Sequence, residues 1–171
     1  MATPPLAIGE ANVRRSRSLS RIGDHRPARE APLSMSRQAL LEAMQSFPLH
    51  DQFGFRIVES TPGRCHARVH VGDAHLNLGG VVHGGVMYLL LDVAAYSAAV
   101  TVMPEGTNAT THDLHVSMLR PTRGGDVVDL HATVRKRGRT LMFIDSEASV
   151  DGKLVASARV TKSIVALPAA P

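Results

Sequence analysis

Tryptophan is absent, and the 171 residues hold only two Tyr and four Phe. Nucleic-acid binding by stacking bases on rows of aromatic rings therefore has little to work with, and the core has to be aliphatic. The single cysteine, Cys65, excludes an intramolecular disulfide and a Cys-rich zinc site. No short apolar block of the secretory kind stands near the start, which together with the lone thiol points to a reducing, cytoplasmic setting. A G-x-S-x-G elbow is missing as well, so the nucleophile turn of an α/β-hydrolase has no candidate.

Charge of one sign is scarce once the chain is divided. The formal net charge is +4, but residues 1–35 hold Arg14, Arg15, Arg17, Arg21, Arg26 and Arg29 against Glu10, Asp24 and Glu30. The rest is almost balanced, too weakly basic to imply a polyanionic partner such as DNA. Residues 1–35, rich in Pro, Ser and Arg without apolar periodicity, read as a disordered tail. A solvated extension, a misplaced start codon, a transit peptide and a partner-binding arm all fit that composition, although Glu10, Pro4 and Pro5 count against a transit peptide. Residues 36–167, at ordinary globular composition, read as one domain.

Within that domain, Ser34 or Ser36 is placed to cap a short helix with Leu40, Leu41, Met44 and Phe47 at helical spacing, ended by Pro48. From Phe53 the apolar period becomes two. Phe53, Phe55 and Ile57 alternate with polar residues, Thr61-Pro62-Gly63 turns the chain, and Cys65, Ala67, Val69 and Val71 alternate with His66, Arg68 and His70. A Gly-rich loop over 73–85 leads into the most apolar stretch, Val86 to Met103. Strands are predicted over roughly 108–119, 126–137, 139–150 and 153–164, the last after the tight-turn pair Asp151-Gly152. Strands gathered around one apolar helix mean an α+β fold with a mostly antiparallel sheet. The 86–103 stretch approaches membrane-spanning length, but Asp92 near its middle would cost about 2.5–3.5 kcal/mol in a bilayer, so it is read as a buried helix of a soluble domain.

Asp92 is the leading functional candidate, since an ionised carboxylate on such a helix needs partners or a reason. The bland alternative is a structural Asp paired with an Arg from a neighbouring strand. Gly84-Gly85 at the helix head allow close approach to first-turn N–H groups that lack intrahelical partners, a donor site for a developing oxyanion. By itself a Gly pair is as readily a hinge. Asn77 and His83 complete an N-x-x-G-x-x-H-G-G spacing in which Asn77 can hold a water or carbonyl and the His83 ring can brace loop or site.

The run Asn77, Gly80, His83, Gly84, Gly85 and Asp92 resembles the signature of hotdog-fold acyl-CoA thioesterases of the phenylacetate-degradation, or PaaI-like, type. Asp113 to Pro121, Gly125-Asp126, Gly138-Arg139-Thr140 and Asp151 to Ala156 follow in the same family's order, and the resemblance covers about residues 47–166. It implies five to six antiparallel strands wrapped around one long central helix, and dimers or dimers of dimers with sites at the subunit interface. It further implies that the Gly85 N–H receives the thioester carbonyl and that Asp92 of the partner subunit acts as nucleophile or general base. Asn77 would orient water or carbonyl, and a hydroxyl on the first strand after the helix would assist, Thr111 being the best match and Thr110 close enough to replace it. The substrate would be acyl-CoA, with no metal or separate cofactor.

Other constellations are weaker. His112 and His115, three apart on a strand, should face opposite ways, and His66 and His70 share a face with Arg68 between them and no acidic partner, so exposed histidines are expected rather than a metal site. Cys65 falls on the apolar phase of its strand and reads as a packed thiol. The basic turn with Arg137 and Arg139 is either a solvated hairpin end or a contact for the CoA phosphates. A non-catalytic acyl-CoA sensor and a hydratase or dehydratase are the alternatives on this fold; the His-Gly-Gly and Asp arrangement favours hydrolysis.

Overall fold

The computed structural model describes residues 37–166, so the tail and the Ser34 and Ser36 capping positions lie outside the described residues. Two short helices, α1 (Arg37–Gln45) and α2 (Pro48–Gln52), precede a hairpin of β1 (Arg56–Thr61) and β2 (Arg64–His70). Helix α3 (Gly84–Val100) follows, then β3 (Thr107–Met118), β4 (Val127–Arg137), β5 (Leu141–Val150) and β6 (Lys153–Ala166). The six strands form one antiparallel sheet in the order β1-β2-β4-β5-β6-β3. The hotdog expectation holds.

Topology explains why α3 is central. The chain leaves β2 near one edge and must reach β3 at the other, so α3 crosses the whole face of the sheet on the way. Its small residues let it lie close: Ala94, Ala95, Ala98 and Ala99 are fully buried, facing a strand surface of Ala67, Leu130, Met142, Ile144 and Ala156. An Ala98→Leu substitution should overpack this contact and lower unfolding stability by about 1–3 kcal/mol, measured by urea denaturation.

Three local expectations change. Pro48 does not merely stop the first helix, which ends at Gln45; it opens α2, where its missing N–H and fixed φ suit a first helical position. Phe53 and Phe55 therefore precede the strand, which begins at Arg56, and Phe55 is buried as a plug between α2 and the sheet. Helix α3 begins two residues earlier than its apolar run, at Gly84, and ends at Val100, which makes the Gly pair its first turn. At 17 residues it falls short of a membrane span, and no helix of the described residues is long and apolar enough for one.

Candidate active site

Helix α3 is not enclosed on every side. Gly85 and Tyr88 are exposed and Leu89, Asp92 and Tyr96 partly so, and at offsets of three, four and seven they share one stripe of the helix. Everything else from Leu90 to Val100 is buried. Asp92 thus sits on the open stripe, its side chain 28% exposed.

Two strands at one edge hold that carboxylate. Thr111, on edge strand β3, donates its hydroxyl to the Asp92 carboxylate, 2.9 Å from Oδ1 and 3.1 Å from Oδ2. Lys162, opposite Thr111 on β6, donates from Nζ to Asp92 Oδ1 at 2.7 Å and to Thr111 Oγ1 at 2.8 Å. Thr110 pairs with Ser163 in the ladder, and of the two threonines it is Thr111 that hydrogen-bonds to Asp92. The bland alternative for Asp92 is corrected in one particular: its charged partner is a lysine, not an arginine.

Sequence reading missed Lys162, although the signal was there. Ala156, Ala158, Val160 and Lys162 are buried alternate residues of β6, so a charged residue occupies the inward phase of an apolar strand. Its side chain is 2% exposed, and burial lowers its pKa below the ordinary lysine value while Asp92 pulls the other way. The Tyr96 ring lies 5.6 Å from Nζ.

At the helix head, His83 is the N-cap. Its extended backbone lets the carbonyl accept from Val86 and Met87, while its ring Nδ1 accepts the Gly85 N–H at 3.0 Å. The amide assigned to the thioester carbonyl is therefore occupied by an exposed imidazole, which a ligand has to displace. The Asn77 side-chain oxygen accepts from the Gly79 and Val81 N–H groups at 2.8 and 3.4 Å, which closes the 77–81 loop on itself and commits that oxygen, so the amide NH₂ is the end left for a ligand. Gly85 and Asp92 are seven residues apart on one helix, roughly 10 Å along its axis, so one chain does not present both to a single carbonyl group.

Arg137 and Arg139 are exposed at the β4–β5 hairpin. Arg137 stands opposite Met142, Met142 opposite Lys162, and Lys162 opposite Thr111, so the basic hairpin lies on the row of the sheet that holds Asp92. At two strand spacings, Arg137 is roughly 10 Å from Lys162.

The histidine expectations need correction. His66 does have an acidic partner, on the next strand: its Nε2 is 2.7 Å from Asp129 Oδ1, and its ring stacks on His131 at 4.3 Å. His112 and His115 are both exposed and on the outer face, because a bulge between Thr111 and Asp113 breaks the alternation, and His112 meets Ser163 on that side. A cavity of about 280 Å³ opens on the same outer face among Glu59, Thr61, Arg64, His66, His131 and Thr133. It is apart from the Asp92 group and slightly below the roughly 300–1,000 Å³ of small-molecule sites. Cys65 is buried as expected, and burial pushes its thiol up to about 11, against a lowering contact from Ser97. Native protein at pH 8 should therefore resist iodoacetamide at Cys65, whereas denatured protein should be fully alkylated by intact-mass measurement.

Residues 79–157 match the family model of the thioesterase superfamily. Over 107 residues the chain is 38% identical to a candidate esterase of Caenorhabditis elegans, covering 61% of this chain and 62% of that protein, so it spans about three fifths of that relative's length. Over 110 residues it is 29% identical to acyl-coenzyme A thioesterase 13 of Homo sapiens, covering 63% of this chain and 78% of the human one. Among solved structures, a candidate thioesterase from Ralstonia eutropha JMP134, described as a phenylacetic acid degradation-related protein, superposes with a TM-score of 0.68 at 28% identity, covering 74% of this chain and 98% of that one.

Proposed function

Because residues 79–157 match the thioesterase superfamily and the fold is that of a thioesterase relative, we propose that the chain belongs to this superfamily and hydrolyses acyl-CoA thioesters to the free acid and CoA, at a site shared between two copies of the chain. The observation that carries this reading is the placement of Asp92: a carboxylate held by two donors on the one open stripe of α3, about two helical turns from the Gly85 amide on that stripe. Thioester hydrolysis needs an oxygen nucleophile or an activated water, and a donor for the oxygen that gains charge. Asp92 supplies the first and Gly85 the second. Their separation in one chain is the reason for a second copy, whose α3 runs alongside in the opposite sense and brings its Gly85 to this Asp92.

The edge strand beside the site supports that pairing. β3 is 12 residues long, has β6 on one side and no strand of the described residues on the other, and carries neither Lys nor Pro to guard that edge. A second β3 would cover it.

In the reaction, an Asp92 oxygen attacks the thioester carbon, or takes a proton from a water that does so. The carbonyl oxygen becomes an oxyanion at the Gly85 N–H, displacing the His83 ring from that amide. The C–S bond then breaks and CoA leaves as the thiolate. In the nucleophile variant water hydrolyses the resulting acyl anhydride; in both variants the products are the same. The Asn77 NH₂ orients the water or the carbonyl, and Arg137 and Arg139 meet the CoA phosphates. All these groups come from the polypeptide, with CoA entering as part of the substrate. A panel of acyl-CoAs followed by thiol release tests the reading: turnover of at least one supports it, whereas saturable binding of acyl-CoA without thiol release would mark a sensor and reject it.

A further inference from the structure

We propose that Lys162 is a positioning residue for this reaction: its buried ammonium, with the Thr111 hydroxyl, ties down Oδ1 of Asp92 and leaves Oδ2 as the oxygen that reacts. The inference rests on the hydrolase reading above and adds to it a residue outside the stretch, 79–157, that matches the family.

Geometry separates the two carboxylate oxygens. Oδ1 has the Lys162 ammonium at 2.7 Å and the Thr111 hydroxyl at 2.9 Å, whereas among the described residues Oδ2 has only the longer Thr111 contact at 3.1 Å. The hydroxyl has one proton to give, and Nζ donates to its oxygen at 2.8 Å, so the lysine orients the threonine as well as the aspartate. A carboxylate otherwise rotates broadly about its last torsion. Here the rotation is pinned from beneath, by a group 2% exposed, under an aspartate 28% exposed. The fixed oxygen is the one that meets the buried ammonium, and the less-bound oxygen is the one left to react.

Packing alone gives no reason for an ammonium at this position. Val160 and Ala158 fill the neighbouring inward positions of β6, and an aliphatic side chain would fill this one without desolvating a charge. The groups facing Nζ are Asp92 and the Tyr96 ring from α3 and Thr111 from β3, with Met142 opposite on β5. Among them Asp92 is the charged one, so the lysine's effect is exerted on that carboxylate.

Two measurements test this. Lys162→Met keeps most of the side-chain volume and removes the charge. Expected is a fall in kcat on the order of a hundredfold, the scale of a misplaced reacting group, with KM within about threefold. In an Asp92→Asn background the same substitution should leave the residual rate unchanged, because its effect passes through the carboxylate. Equal fractional losses in both backgrounds would overturn the proposal. The second measurement needs no lysine variant: the Lys162 side chain is titrated by NMR in the wild type and in Asp92→Asn. Loss of the opposing charge should lower the pH at which the ammonium deprotonates. An unchanged midpoint would overturn the coupling. A wild type that releases no thiol from any acyl-CoA overturns instead the hydrolase reading, and with it the reacting oxygen, while the titration still reports whether lysine and aspartate act as a pair.

Discussion

Asp92→Asn should reduce kcat for thioester hydrolysis by about 10²–10⁴-fold, the usual contribution of a positioned base, with a small change in KM. Asparagine has the same shape, and its amide oxygen can still accept from Lys162 Nζ and Thr111 Oγ1, so the site should stay assembled. What it lacks is the negative oxygen. Thiol release at saturating substrate measures the loss, and circular dichroism checks the fold. The variant also has a stability signature. Burial already holds the Lys162 pKa below its ordinary value near 10.5, and Asp92 is the charge that opposes this. Without Asp92 the folded-state value falls further. A depressed pKa means that the unfolded chain binds more protons in the interval between the folded and unfolded values, so stability is lost as pH falls through that interval. The melting-temperature deficit of Asp92→Asn against wild type should therefore widen toward neutral pH and narrow toward pH 10.

Gly85→Pro should cost about 10²–10³-fold in kcat, the effect of deleting one oxyanion donor. Proline removes the N–H and nothing else that the first helical turn requires. A side chain at position 85 would approach His83 Nδ1 at 3.2 Å, and that exposed ring can turn away. Gly85→Ala is the control: it retains the N–H and makes the same approach to His83, so most of the rate should survive. If alanine is as damaging as proline, space rather than the amide is the requirement, and the oxyanion role of Gly85 fails.

These effects trace to features of unequal legibility. The strands after α3 announce themselves by alternation and by turn residues such as Asp151-Gly152, where both take positive φ. The helix announces itself by an apolar run that one carboxylate interrupts. Boundaries that depend on a single residue doing either of two jobs were less legible: Pro48 opens one helix just beyond the end of another. Least legible were contacts between residues far apart in the chain. Asp92 and Lys162 are separated by 70 positions, and His66 and Asp129 by 63. Local pattern marks Asp92 and Lys162 as anomalies, each a charge among apolar residues, whereas His66 and Asp129 stand on the polar phase of their strands, and in both pairs the partner depends on strand order. The register of β3 on β6, with its bulge after Thr111, is what chooses Thr111 over Thr110 and turns His112 outward.

The account stands on a site divided between two copies of the chain, and subunit complementation tests that directly. Asp92→Asn and Gly85→Pro proteins, each nearly inactive alone, are unfolded together, refolded as an equal mixture and assayed for thiol release. If each site takes its carboxylate from one chain and its amide from the other, half the dimers are mixed and one of their two sites is wholly wild type, so about a quarter of wild-type activity should return. A mixture no more active than its two components would contradict the shared site.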